Sequence, residues 1–350
     1  MRQNFRSQFR TLRSVGPVLL AVMLGYSVHA QTSPYIPVIS GGIGIFSSTN
    51  EGFTFVQPVV APVLAFPLGQ HILVESRADL RGLVQQSGPH SSFEGSFTAS
   101  LEYLQADYIA NRHMTLVAGR FQTPFGVYNE RLTPLWIRNL QDVPLIFGIG
   151  TRTSGSSLGA MLRGNLYDNR KVEVNYIAYF SAERKAGQFQ AARTAGDRID
   201  VYLPNQGLEI GTSYQRFLQD THANAVGAHV WWIPSKSAVQ IRSEYAHGAH
   251  AQGYWVETAY RLSRFGGQDS LIGRFQPVFR MQQSFRNSPG KGDGLPAADT
   301  KQADFGFDYY LPHEVRLNTS YARTFSTVNG NIWDISLTHR FVFPLWRGGK

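Results

Sequence analysis

Cysteine is absent from the 350 residues, so neither a disulfide framework nor thiolate chemistry is available. The absence suits an oxidising compartment, where an unpaired thiol is a liability. Lysine is scarce, with only six in the chain. No run of lysine or arginine marks a nucleic-acid footprint, so no nucleic-acid partner is expected. Past residue 30 no stretch approaches the ~20 apolar residues of a membrane helix. Nor does any long window keep a helical apolar spacing. Catalytic signatures are missing as well: there is no G-x-S-x-G elbow after a strand and no H-E-x-x-H.

What the chain does have begins at its start. Arg2, Arg6, Arg10 and Arg13 form a positive zone without an acid. The apolar core Val18-Leu19-Leu20-Ala21-Val22-Met23-Leu24 follows, too short to span a bilayer. Val28 and Ala30 then stand at −3 and −1 before Gln31, an A-x-A-like cleavage site. Residues 1–30 therefore read as a cleavable secretory signal rather than an amphipathic helix of the mature protein. The lack of an Arg-Arg pair favours the general secretory route. Four basic residues leave with the signal, so 33 − 4 = 29 basic face 24 acidic and the mature chain carries +5.

The remainder, 31–350, reads as one domain built on a period of two. Ile72, Val74, Ala78, Leu80 and Val84 alternate with Glu75, Arg77, Asp79 and Arg81. Val172, Val174, Tyr176, Ala178 and Phe180 alternate with Glu173, Asn175 and Ser181, and Tyr254, Val256, Tyr260 and Leu262 face away from Glu257 and Arg261. Phe305, Phe307 and Tyr309 oppose Asp304 and Asp308; Trp333, Ile335, Leu337, Phe341 and Phe343 oppose Asp334, Ser336, Thr338 and Arg340. Each set lies on one face of a strand. A soluble sandwich and a membrane barrel share that pattern, and three further observations favour the barrel. Most segments run about ten residues, the length of a tilted transmembrane strand. Short turns such as Tyr167-Asp168-Asn169-Arg170 and Phe265-Gly266-Gly267-Gln268 alternate with mostly longer connections. The last strand is rich in aromatics and ends near Phe341, Phe343 and Trp346, as an interfacial girdle requires. The expected fold is an all-β transmembrane antiparallel up-and-down barrel of about 16 strands. The count relies on a short eighth strand, Asp197–Leu203, and a barrel of this size encloses a wet lumen.

One stretch breaks the alternation: Gly119-Arg120-Phe121-Gln122-Thr123-Pro124-Phe125-Gly126, followed by Glu130-Arg131-Leu132. This G-[RK]-F-x-x-P-F-G pattern resembles the strand-to-loop junction of the phosphate-selective porin O and P family. Gly207-Leu208-Glu209-Ile210-Gly211, Glu244-Tyr245 and Gly253-Tyr254-Trp255 resemble it too, as scattered short motifs. The resemblance implies a sixteen-stranded barrel, commonly trimeric, with a loop folded into the pore.

Residue chemistry points the same way. Residues 124–153 form a connection far longer than usual. They are too apolar for a solvated coil, with Phe125, Tyr128, Leu132, Trp136, Ile137 and Phe147 among them. Such a loop buries itself, and the barrel interior is the available place; a structural plug or an extracellular trimer contact is the alternative. Its charges Glu130, Arg131, Arg138 and Asp142 would then sit at a constriction. Thr133 and Pro134 are placed as N-cap and first residue of a short helix running to Leu140. Lumen-facing positions carry Arg77, Arg81, Arg242, Arg261, Arg274, Arg280, Arg316 and Arg340 against Glu75, Asp79, Glu173, Glu209, Glu244, Glu257, Asp304, Asp308 and Asp334. Anion filters use basic rings, and this near-balance departs from a phosphate filter, so phosphate specificity is not carried over.

No enzyme, cofactor or metal site is expected. His247 and His250 are two ligands without a carboxylate, too few for zinc. His229, beside Trp231 and Trp232, reads as a lumen or interface residue. Gly290-Lys291-Gly292-Asp293-Gly294 lacks the Ser/Thr and strand context of a phosphate loop. The expectation is an outer-membrane diffusion porin for small solutes or ions with a weak anion preference, its partners being membrane lipid and its own copies. A closed structural or adhesive barrel, or an outer-membrane enzyme with rim catalysis, is the alternative. Cell fractionation with N-terminal sequencing checks the first step: a carbonate-resistant membrane protein starting at Gln31 is expected, and recovery from the soluble periplasm would overturn it.

Overall fold

A computed structural model describes residues 36–86, 91–134, 136–151, 155–183, 191–219, 222–288 and 293–345. The expected signal segment and Trp346 lie outside these residues. Sixteen strands account for most of the chain: β1 Val38–Asn50, β2 Phe53–Leu68, β3 Ile72–Gln86, β4 Phe93–Asn111, β5 Met114–Gln122, β6 Ser156–Asp168, β7 Glu173–Glu183 and β8 Ala192–Leu203. The second half continues with β9 Leu208–Phe217, β10 Asn224–Trp232, β11 Val239–His247, β12 Ala251–Tyr260, β13 Phe275–Arg286, β14 Thr300–Tyr310, β15 Val315–Phe325 and β16 Gly330–Pro344. Each pairs antiparallel with its sequence neighbours, and β1 pairs β16 from Val38↔Pro344 to Asn50↔Ile332, so the sheet closes into a barrel.

The polarity is inverted relative to a water-soluble fold. Along β16, Trp333, Ile335 and Leu337 are exposed at 60%, 53% and 38%, while Asp334, Ser336 and Thr338 are buried. On β14, Phe305 is exposed and its neighbours Asp304 and Gly306 are buried. Water would drive these the other way, because exposed apolar area is unfavourable and a buried carboxylate more so. An apolar solvent outside and a polar interior satisfy both faces. Rings gather where β12 stops and β13 begins: Phe275 lies 5.5 Å from Phe307 and 4.8 Å from Tyr309, centroid to centroid. Such a cluster suits the headgroup level of a bilayer.

Two differences from the sequence reading have local causes. β8 begins five residues earlier than Asp197, at Ala192, because its whole length pairs with β7 (Glu183↔Ala192 to Glu173↔Tyr202). Its outward face there is Arg193, Ala195 and Asp197, too small and polar to alternate visibly. The turn placed at 265–268 is part of a connection from Arg261 to Arg274 containing a 3-10 turn, Leu262–Phe265. Gly267, at φ 80°, and the Ser270 hydroxyl, which donates to the Gly267 carbonyl, fold it back.

The facing is tested by charge placement. Ile335→Arg, on the outer face, is expected to lower unfolding free energy in lipid by about 2–4 kcal/mol. Arg81→Gln, on the half-buried inner face of β3, should be mild. Equal losses in a urea titration of the lipid-embedded barrel would mean the facing is wrong.

Candidate functional site

Between β5 and β6 the chain runs from Thr123 to Gly155, and this segment bonds to the polar faces of β3, β8, β9, β11, β12, β13 and β15. It brings its own apolar core. Phe125, Val127, Tyr128, Leu132, Ile146 and Ile149 pack on Ala225, Ala246, Ala251 and Trp255 of the wall. The small wall residues leave room, and Phe125 lies where a side chain on Gly150 or Gly227 would have to go. The Tyr128 ring meets Trp255 edge-on at 5.9 Å.

The Pro124-Phe125-Gly126 motif has a specific job. Gly126 adopts φ 65°, and a Cβ there would fall 2.0 Å from Glu244 Oε1. Only glycine fits both the left-handed backbone and the close carboxylate. Glu244 Oε2 accepts from the Val127 and Tyr128 amides at 3.1 and 3.2 Å. The Gly126 amide donates to Ser213 Oγ, and its carbonyl accepts from Arg198 at 3.0 Å. Two fragments far apart in sequence, the Pro-Phe-Gly turn and Glu244-Tyr245, thus form one junction.

The helical turn lies elsewhere than the cap chemistry suggested. Tyr128–Leu132 forms a π-helical turn, and Thr133 ends it by donating its hydroxyl back to the Asn129 carbonyl at 2.8 Å. Pro134, without an N–H, stops propagation. Beyond it Ile137 N and Arg138 N both donate to the Pro134 carbonyl, and the next helical turn among the described residues is Gly148–Thr151.

The four constriction candidates divide into paired and unpaired. Glu130 meets Arg198 at 2.7 Å, and Arg198 also holds Asp200 at 2.9 Å. Burial works to raise the Glu130 carboxyl, but Arg198 and Arg131 outweigh it and hold it below the usual range. Arg131 Nη1 donates to both Glu209 carboxylate oxygens, at 2.7 and 2.8 Å. His229 Nε2 stands 3.3 Å from both Asp200 and Glu209. These three bring metal-ligating atoms within 4.8 Å of one another, yet Arg131 and Arg198 already engage both carboxylates. Arg138, in contrast, has no acidic partner within 4.0 Å among the described residues. It donates to the Gln141 carbonyl and lies over the Phe46 ring. Burial raises the Asp142 carboxyl, and Asp304 adds to this against the pull of Arg280 and Arg138.

Between Arg138 and Asp142 lies a residue the sequence did not flag. Asn139, 3% exposed, donates to Glu257 at 2.8 Å, accepts from Gln276 at 3.2 Å, and offers its carbonyl to Asn318 at 2.6 Å. Arg198 was missed as well; its one signal was its place between Asp197 and Asp200. Of the eight arginines assigned to the lumen, Arg77 lies 3.6 Å from Glu102 and donates to Thr133, Arg81 pairs with Asp79 at 2.8 Å, and Arg280 pairs with Asp304 at 3.1 Å. Arg242 faces Glu257 at 3.6 Å and Arg316 faces Asp308 at 3.5 Å. Arg261 covers the Tyr310 ring and Arg340 is exposed. Arg274 lies in the connection before β13 rather than on a strand.

No protein-family model and no curated protein matches the sequence. Among solved structures, the chain is similar to Salmonella typhi OmpF in complex with daunomycin, at 10% identity and TM-score 0.58, covering 87% of this chain and 97% of that one. The low-pH structure of Pseudomonas putida OprB gives 9% identity and TM-score 0.56, covering 88% and 93%. An anion-selective porin from Comamonas acidovorans gives 8% identity and TM-score 0.55, covering 87% and 98%. At these identities the likeness establishes the fold, a porin-type barrel.

Glu244→Gln keeps the shape of the Gly126 junction but removes its charge. It is expected to cost about 1.5–3 kcal/mol, the range for hydrogen bonds to a charged group. Limited proteolysis within 123–155 should quicken in step. Unchanged cleavage and unchanged urea stability would show that the segment is held by its apolar core alone.

Proposed function

We propose that this chain is an outer-membrane diffusion porin for small hydrophilic solutes or ions, with segment 123–155 folded inward as its constriction and a weak preference for anions. The observation that carries the reading is the set of bonds from this one segment to the polar faces of seven strands around a closed ring. A loop outside the ring has no route to inward-facing groups on both β3 and β13. The porin-type fold supports the reading, and so does the resemblance to the phosphate-selective porin O and P family, whose Pro-Phe-Gly motif here forms the inward turn. That resemblance also implies a trimer, for which chemical cross-linking in native membranes is the direct check.

The anion preference rests on pairing. Most wall charges are neutralised in place, as in Arg242–Glu257–Arg280–Asp304. Arg131 likewise spends its charge on Glu209. Arg138 is the guanidinium of the segment without an acidic partner within 4.0 Å among the described residues. In a narrow neck of lowered dielectric an unmatched charge acts more strongly than in bulk water. Nothing in this arrangement selects phosphate.

Planar-bilayer recording in a salt gradient tests the proposal. An open, ohmic conductance is expected, with a reversal potential on the anion side; a folded barrel without conductance would favour the closed structural barrel. Arg138→Ala should move the reversal potential toward cations, and adding Arg131→Ala should shift it further, because Glu209 is then uncovered. The raised Asp142 carboxyl takes up its proton at a higher pH than an ordinary aspartate. Lowering the pH therefore removes a negative charge from the neck, and the anion preference should grow, an effect reduced in Asp142→Asn. An unchanged reversal potential in the double variant would place the segment outside the conduction path.

A further inference from the structure

At the end of the barrel where β1 begins and β16 ends, a cavity of about 340 Å³ opens between Trp136 of the inward segment and the ends of β14, β15 and β16. Its lining brings together three of the lumen arginines, Arg261, Arg316 and Arg340, with Glu314 the one acid. Their charges are not equally spent. Arg316 faces Asp308 at 3.5 Å. Arg261 is held by neutral groups: its Nε donates to the Gly273 carbonyl at 3.0 Å, and its guanidinium carbon stands 3.7 Å from the centre of the Tyr310 ring. Arg340 is exposed and has no acid within 4.0 Å among the described residues. Three guanidiniums against Glu314 and Asp308 leave the site at +1.

The walls add a second requirement. Trp136 packs over Gly42 of β1, where any side chain would collide with its ring, and so stands fixed on one side. Tyr310 also lines the cavity, its hydroxyl donating to Gln276 at 3.3 Å and one face of its ring covered by the Arg261 guanidinium. Leu311 and Val315 are the other apolar residues of a lining that is otherwise largely polar. A cavity of this size lies at the small end of ligand pockets, which run about 300–1,000 Å³. Phosphate, a hydrated dianion, would face Glu314 with one net positive charge in the site to offset both its charge and its desolvation. A neutral sugar would leave Arg261 and Arg340 without an anionic partner.

We propose that this cavity is a subsite for a small amphiphilic organic monoanion, a carboxylate on a flat apolar body, held against Trp136 with its carboxylate at Arg261 and Arg340. A planar guanidinium matches a carboxylate in two parallel hydrogen bonds, and the flat body uses the Trp136 ring surface. This deepens the diffusion-porin reading and rests on it: the subsite would retain such anions at one end of the pore and raise their flux at low concentration.

Calorimetry on the folded full-length barrel in detergent, with benzoate as the probe, tests the subsite without requiring conduction. Benzoate should bind, acetate at least tenfold more weakly for lack of a flat body, and benzyl alcohol and phosphate not measurably. Arg261→Gln and Arg340→Gln should each raise the benzoate Kd tenfold or more. Trp136→Ala should weaken benzoate while leaving acetate unchanged. Arg340 is exposed, so its variant folds and keeps the test decisive. Benzoate binding equal to acetate, tighter binding of phosphate, or a Kd unmoved by Arg340→Gln would overturn the subsite. In bilayers, benzoate should reduce the current through the wild-type pore but not through Arg340→Gln. A conducting pore with no benzoate effect sinks the subsite alone, whereas a barrel that binds benzoate without conducting sinks the porin reading alone.

Discussion

The pairing of β1 with β16 is the constraint on which the rest depends. In a hydrocarbon environment no water is present to satisfy a strand edge, and each unpaired backbone group costs several kcal/mol. Closure removes both edges at once, and it also sets the polarity. Once the sheet is a ring, one face of every strand meets lipid and the other meets the interior, which accounts for exposed Trp333, Ile335 and Phe305 beside buried Asp334, Ser336 and Asp304. The ladder is not uniform within that ring. β2 carries Pro58 and Pro62, and its register with β3 is interrupted at both, since proline brings no N–H. Unbroken pairing with β1 from Phe53 to Ala65 holds the strand in place despite these gaps.

A polar interior creates a second problem, because charges that line it must be desolvated or paired. The wall answers with chains of alternating sign rather than isolated ion pairs. Arg242, Glu257, Arg280 and Asp304 run across β11 to β14, and Arg198, Asp200, Arg131 and Glu209 link β8, β9 and the inward segment. Glycine makes the second chain possible. A Cβ on Gly211 would fall 2.2 Å from Asp200 Oδ1 and 2.3 Å from the His229 ring. Where pairing is incomplete, at Arg138 and around Arg261 and Arg340, the interior keeps the charge through which it can act on a solute.

Segment 123–155 is bound by two kinds of contact that reinforce one another. Its aromatic and aliphatic side chains fill space against Ala225, Ala246 and Ala251, while Glu244 and Asn139 fix its backbone. Neither alone specifies one position. Apolar packing tolerates small shifts, whereas the Glu244 carboxylate must meet two successive amides, and Asn139 must meet partners on three strands.

The period-two pattern and the spacing of turns were enough to read the all-β barrel, its sixteen strands and the outward set along β14 and β16, because side-chain alternation is a local property of each strand. β8 was legible only in part, since Arg193, Ala195 and Asp197 dilute the apolar alternation that marks an outward face. Which charges remain unmatched could not be read from the chain at all. Arg131 and Arg138 look alike in sequence, yet one lies on Glu209, 78 residues away, and the other on the Phe46 ring. Those distances are set by the closed ring, which brings β1, β3, β9 and β15 around one interior. Local pattern thus determined the kind of wall the chain builds, and tertiary closure decided which side chains meet across it, because only the ring makes residues far apart in sequence compete for the same partner.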